Sequence, residues 1–224
     1  MSAANRLVIF DCDGTLVDSQ HMIVGTMHDT FEELGLPILS DAEVRNIVGL
    51  SLVEAMAALL PEAERAFHEV AAEKYKANFY KRRVEQAAGP DPLYPGTLEV
   101  LDQLNGEGYV LGVATGNSVR GLERVLKEHS IGHHFVTLQT ADGHPSKPHP
   151  SMIHTAIVEA GSDAEQTVMI GDTSFDMMMA QNAPCGGIGV DWGYHHADEL
   201  TGAGAAHVAS SFYDIPKAVK ALIG

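Results

Sequence analysis

"LVIFDCDGTLVDS" (residues 7–19) is the stretch from which the fold can be read. Leu7 to Phe10 form an apolar run of the length and β-branched character expected of a strand buried on both faces. The run stops at two carboxylates, Asp11 and Asp13, followed at once by Gly14 and Thr15. Acids this close repel one another, and repulsion at a buried strand end is costly unless a cation or a reaction makes use of it. Gly14 suits the tight turn that carries the chain away. Alternation turns Cys12 away from both acids, so it is expected as a small apolar filler of the core.

Further strands follow the same pattern: 109–115 (YVLGVAT), 167–171 (TVMIG), 186–190 (GGIGV) and a short one within 205–210. Helical patterns lie between them at 96–108, 118–132, 150–161, 175–183 and 213–224, several ending in glycine. Strand–helix alternation predicts an α/β, Rossmann-like parallel sheet with helices on both faces and functional groups at the strands' carboxyl ends. Residues 19–86 break the rhythm with amphipathic helical patterns punctuated by Pro37 and Pro61. The expected organisation is a discontinuous core, 1–18 and 87–224, with an all-helical cap inserted at 19–86.

At 224 residues with 45% hydrophobic content, the chain is long enough for a domain plus an insert. A net charge of −16 opposes nucleic-acid binding and anionic membranes, leaving a small anionic substrate open if a local cation reverses the field. Two cysteines without metal spacing fit a reducing compartment, and no apolar span suggests a leader or a membrane crossing. The expected location is cytoplasmic; the patterns leave the oligomeric state open.

The strand ends collect the chemistry. Asp11 and Asp13 end the first, Thr115, Gly116 and Asn117 the next, and Asp172 and Asp176 follow 167–171, with Lys147 on a loop between Ser146 and Pro148. Four carboxylates against one lysine call for a hard divalent cation, for which Mg2+ fits best. A carboxylate beside a metal, with an anionic substrate, points to attack on phosphorus through an aspartyl-phosphate. Asp11 is then the nucleophile, and Asp13 protonates the leaving oxygen and later activates water. Thr115 and the backbone N–H groups beside it, at Gly116 and Asn117, hold the phosphoryl oxygens, while Lys147 offsets the developing charge.

Together "FDCDGTLVDS", "ATGNS", the Lys147 of "SKPHP" and "GDTSFDMMMA" resemble, in order, the four motifs of the haloacid dehalogenase-like hydrolase superfamily. The segments "LYPGTLEVLDQL" and "GVDWGYHHADEL" are similar to those of its phosphoglycolate phosphatase-like members. The resemblance implies Mg2+ held by the Asp11 carboxylate, the Asp13 main-chain carbonyl and Asp172. It also implies Asp176 behind them or on a metal-bound water, and Lys147 orienting Asp11. It implies hydrolysis of a small phosphorylated metabolite such as phosphoglycolate or a sugar phosphate. A phosphomutase of the β-phosphoglucomutase type and an inorganic pyrophosphatase make the same demands on these residues. A dehalogenase has no use for Asp13 or a metal, and a non-catalytic phospho-ligand-binding regulator has no need of the full set.

Other residues carry plainer expectations. Asp18 and Ser19 suit a helix cap. The twelve histidines are expected on surfaces and loops, and Met177, Met178 and Met179 in helix packing. "KRR" (81–83) reads as a solvated surface, although its place near the return to the core could bring a cation to the substrate. "NIVGLSL" (46–52) is a glycine-centred break able to present backbone groups and Ser51 to the site. Trp192 is expected either at the pocket rim or over the end of the core.

Overall fold

The computed structural model describes residues 4–85 and 90–224. In chain order its elements begin with β1 (Asn5–Phe10), α1 (Gln20–Glu33), α2 (Asp41–Arg45), α3 (Leu52–Leu59) and α4 (Arg65–Glu85). There follow α5 (Thr97–Gly106), β2 (Val110–Thr115), α6 (Val119–Glu128), β3 (Phe135–Thr140), α7 (Ser151–Ala160) and β4 (Ser162–Gly171). The chain closes with α8 (Ser174–Asn182), β5 (Gly186–Val190), α9 (Ala197–Gly202), β6 (His207–Ala209) and α10 (Ile215–Ile223).

The strands form one parallel sheet, ordered β3-β2-β1-β4-β5-β6. Its central strand explains the unbroken apolar run. Val8 and Phe10 pack with Leu101 and Leu104 of α5, Val125 of α6 and Val219 of α10. Leu7 and Ile9 pack with Met152 and Ile153 of α7 and Met179 of α8 on the other face. Cys12 is fully buried in the first of these clusters, the filler its alternation implied. The fold is the expected α/β, Rossmann-like sheet covered on both faces. Strand order reverses beside β1, and a ligand crevice lies outside the strand ends at such a point.

Three elements depart from the sequence reading. β3 went unread because it is an edge strand that alternates: Val136 and Leu138 face outward, and only its other residues are buried. β4 begins at Ser162, five residues earlier than its apolar core, and α9 was not anticipated from six polar-rich residues. The histidines also depart. His68, His134 and His195 are buried, each with one ring nitrogen satisfied: by Leu60 O, Asn105 Oδ1 and the Ser174 N–H, respectively.

Between β1 and α5 the described chain is helical. Met27 and Phe31 of α1, Val44 of α2, Met56 of α3 and Ala71 and Ala72 of α4 enclose an apolar cluster separate from the two on the sheet. The outgoing and returning connections run side by side. Val17 bridges Leu93 antiparallel, Asp18 N–H donates to Pro92 O (2.8 Å), and Tyr94 N–H donates to Leu16 O (3.1 Å). The expected boundary at 86/87 falls outside the described residues.

Candidate active site

β1 delivers Asp11 to the sheet rim, where it is 1% exposed, and β4 delivers the fully buried Asp172 beside it. α8 adds Asp176, and the loop before α7 sends Lys147 inward. Lys147 Nζ stands 2.7 Å from Asp176 Oδ1 and 2.9 Å from Asp11 Oδ1. The contact to Asp176 is an aligned hydrogen bond; the one to Asp11 is an ion pair by distance, and Asp11 Oδ1 accepts no well-aligned hydrogen bond.

Three carboxylates around one ammonium leave uncompensated negative charge. Burial pushes the Asp11 pKa up to about 7, with Lys147 opposing and Asp176 adding to the rise. Asp172 is held well above the carboxylate range, first by burial, then by Asp11 and Asp176. Burial alone would lower Lys147, but Asp11 and Asp176 outweigh it and hold the ammonium charged.

One carboxylate oxygen from each of Asp11, Asp172 and Asp176 lies within 4.8 Å of the others, a buried all-oxygen set of the kind hard divalent cations take. The poorly satisfied Asp11 Oδ1 and the excess charge both fit such an ion. Asp13's carboxylate stands apart from this trio. It is half-buried and accepts from Asn117 Nδ2 at 3.0 Å.

The trio is braced by contacts the sequence did not reveal. Thr15 Oγ1 donates to Asp172 Oδ1 (2.8 Å), and Tyr194 N–H donates to Asp172 Oδ2 (2.9 Å). Gly14, at φ +86°, passes so close that a Cβ there would stand 2.3 Å from Asp172 Oδ2. Gly193 is packed as tightly against the same carboxylate. Asp176 serves twice, because its Oδ2 also accepts from the N–H and hydroxyl of Thr173, capping α8.

At the end of β2, Thr115 is buried and its Oγ1 accepts from Asn117 N–H (3.2 Å), leaving the hydroxyl proton to donate elsewhere. Gly116 faces the glycine-centred break of the helical segment. A Cβ on Gly116 would meet Gly49 O at 2.5 Å and Leu50 O at 2.8 Å, and Ser51 N–H donates to Ser146 Oγ at 2.8 Å. The break therefore reaches the rim.

Three other expectations are corrected or decided. Ser19 takes the cap position of α1 but makes no side-chain cap; its hydroxyl bonds the Tyr194 hydroxyl (3.2 Å) instead. The "KRR" run is not simply solvated: Arg82 pairs with Asp29, and Arg83, paired with Asp91, has a side chain only 12% exposed and lines the cavity. Trp192 lies over the end of the core against Phe212, its Nε1 donating to Thr15 O (3.3 Å).

A cavity of about 1260 Å³ opens above the rim, bounded by Asp11, Asp13, Thr115, Gly116 and Asn117 below and by residues of α1, α3, α4 and α6 around it.

The haloacid dehalogenase-like hydrolase model matches residues 8–190, spanning the sheet from β1 to β5 and every carboxylate just described. The chain belongs to this family. It is 36% identical over 222 residues to the probable phosphatase IndB of Dickeya dadantii, covering 97% of this chain and 94% of that one. It is 26% identical to a phosphoglycolate phosphatase of Vibrio parahaemolyticus, with 96% of each chain covered. Among solved structures, a predicted phosphatase from Clostridium acetobutylicum superposes with a TM-score of 0.86 at 24% identity, covering 99% of this chain and all of that one. As a haloacid dehalogenase-like hydrolase the chain is an enzyme, of phosphatase type. No helix among the described residues is long and apolar enough to cross a membrane.

Proposed function

We propose that this protein hydrolyses the phosphate monoester of a small metabolite, with Mg2+, through an aspartyl-phosphate on Asp11. The observation that carries the reading is the buried Asp11–Asp172–Asp176 cluster, with Lys147 paired to Asp11 and Asp176 and Asp11 reaching the floor of a cavity.

Asp11 attacks phosphorus from the cavity floor, its Oδ1 oriented by the Lys147 ammonium 2.9 Å away. Asp13, half-buried and held by Asn117, gives a proton to the leaving oxygen and takes one from the water that follows. Thr115, Gly116, Asn117 and Lys147 hold the phosphoryl oxygens by hydroxyl, N–H and ammonium donors. The Asp11 carboxylate, the Asp13 main-chain carbonyl and Asp172 would hold Mg2+, with Asp176 behind them fixing Lys147. When bound, the ion supplies compensating charge to the carboxylates and to the phosphoryl oxygens.

The helical segment acts as a cap, closing over the site by the contact of Gly49, Leu50 and Ser51 with Gly116 and Ser146. Closure excludes bulk water and suits a small substrate. The net charge of −16 and two unpaired cysteines support a cytoplasmic enzyme without nucleic-acid or membrane partners. The direct test is phosphate release from p-nitrophenyl phosphate with Mg2+ and with EDTA. The reading expects turnover with the ion and its loss on chelation; no turnover with Mg2+ on this ester or across a metabolite panel overturns it.

A further inference from the structure

The cavity wall opposite the carboxylates is cationic, which the overall charge does not lead one to expect. The chain holds 14 Lys and Arg against 30 Asp and Glu, yet six of those cations line this one cavity, Arg65, Lys76, Arg83, Arg120, Arg124 and Lys127, against four wall acids, Glu54, Glu123, Glu128 and Asp142. Arg120, Arg124 and Lys127 stand four and three residues apart and so share one face of α6.

That face meets the aromatic end of α4. The Arg124 and Arg83 guanidinium carbons lie 5.5 and 5.4 Å from the centre of the Phe79 ring, and that of Arg120 lies 5.7 Å from the Tyr80 ring. Two arginines thus converge on one ring although their charges repel. Burial first and Arg124 second hold the Arg83 pKa below the usual arginine range, with Glu128 and Asp13 opposing.

The acids nearby are partly committed. Glu128 pairs with Arg124 (3.2 Å), Asp91 with Arg83, and Glu54 with Arg65 (2.6 Å). Arg120 has no carboxylate within ion-pair range among the described residues. Convergent like charges beside an aromatic ring, facing a cavity whose floor takes a phosphoryl group, form a second anion site.

We infer that Arg83, Arg124 and Arg120 bind a second anionic group of the substrate, so the preferred ester carries a carboxylate or a further phosphate at the end remote from the scissile phosphoryl. This deepens the phosphatase reading and rests on it. It selects against neutral alcohol and sugar moieties, which offer the arginine wall no charge to bind. Arginine suits either anion through its planar fork of donors.

The experiment measures kcat/KM of the full chain with Mg2+ on four esters. Ethyl phosphate and p-nitrophenyl phosphate have no anionic group besides the phosphoryl; 2-phosphoglycolate adds a carboxylate and propane-1,3-diyl bisphosphate a second phosphate. The wild type is expected to prefer at least one probe with the added anionic group to ethyl phosphate by tenfold or more, and which probe leads identifies the anion. R124Q and R120Q are each expected to cut that preference at least fivefold, with R124K restoring part of it; R120Q breaks no ion pair among the described residues. K217Q, far from the cavity, leaves the preference as it is.

A merely structural role in docking α4 on α6 would depress all four esters together and leave the ratio unmoved. A wild type indifferent to the second anionic group, or variants with an unchanged ratio, overturns the inference. Absence of all turnover would instead overturn the phosphatase reading beneath it.

Discussion

At the sheet rim Asp11, Asp172, Asp176 and Lys147 are at most 1% exposed, whereas across the cavity the side chains of Arg83 and Arg124 keep 12% and 27% of their surface open. The rim charges are placed by two strand ends, the first turn of α8 and a loop, and neutralise one another incompletely. The wall charges ride on helices beside aromatic rings, Arg83 and Arg124 each with a paired acid. A buried charge cluster is sensitive to every missing partner, while a half-open one tolerates change in stability and registers it in selectivity. The rim is suited to chemistry on a phosphoryl group common to many esters, and the wall to choosing among them.

The largest expected effect tests the rim. D11N should lower phosphatase turnover by a thousandfold or more. Its melting temperature should not fall, since the substitution removes a buried charge whose own environment disfavours it. Surviving activity would move the nucleophile elsewhere. K147M comes next: stripped of their one ammonium, Asp11 and Asp176 should cost the fold about 3 kcal/mol in denaturant unfolding, along with activity.

The helical segment has a core of its own, so M56A there should cost about 2–4 kcal/mol. Hydrogen exchange should show the loss concentrated in α1, α3 and α4 while β1 and β4 stay protected. Uniform loss would mean that the two regions unfold as one unit.

The boundary between the regions can be broken at a single methyl group. G116A places a Cβ against the backbone oxygens of Gly49 and Leu50, which cannot move aside as a side chain would. KM is expected to rise about tenfold, with the far-UV circular dichroism unchanged.

The smallest effect lies on the outer surface of the helical segment. Arg82 holds the Asp29 carboxyl below its usual range, chiefly through their hydrogen bonds. A depressed carboxyl stabilises above its unfolded-state pKa and loses that contribution as pH falls through the folded value. R82A should therefore cost about 0.5 kcal/mol at neutral pH, since the pair is half-buried and partly screened by solvent. The gap to the wild type should close below about pH 4.

The same contrast explains what could be read from the residues alone. The sheet and its rim were legible because both are local signals: an apolar run, then a carboxylate where it stops. Asp11, Asp13 and Asp172 follow that grammar; Lys147 stands on a loop and does not. β3 was not, because an exposed edge strand replaces the continuous run with alternation through Thr137 and Gln139. Thr15 and Tyr194 were missed as supports of Asp172, since hydrogen bonds spanning 157 and 22 positions leave no periodic trace. The mismatch between Ser19's capping position and its actual partner has the same origin: Tyr194 outcompetes a local N–H only once the fold brings it near. Arg83 was left undecided between solvent and substrate because a run of three adjacent cations gives no helix face, and only the seating of α4 beside α6 turns it toward the cavity.

The central claim is that Asp11 becomes covalently phosphorylated, and one measurement meets it directly. The enzyme is mixed with Mg2+ and substrate, quenched in acid within its first turnover, reduced with borohydride and digested for mass spectrometry. Borohydride converts an aspartyl-phosphate to homoserine, so the peptide containing residues 7–19 should carry that conversion at position 11 and nowhere else. Conversion at Asp13, or turnover with no converted aspartate at any time point, would contradict the account.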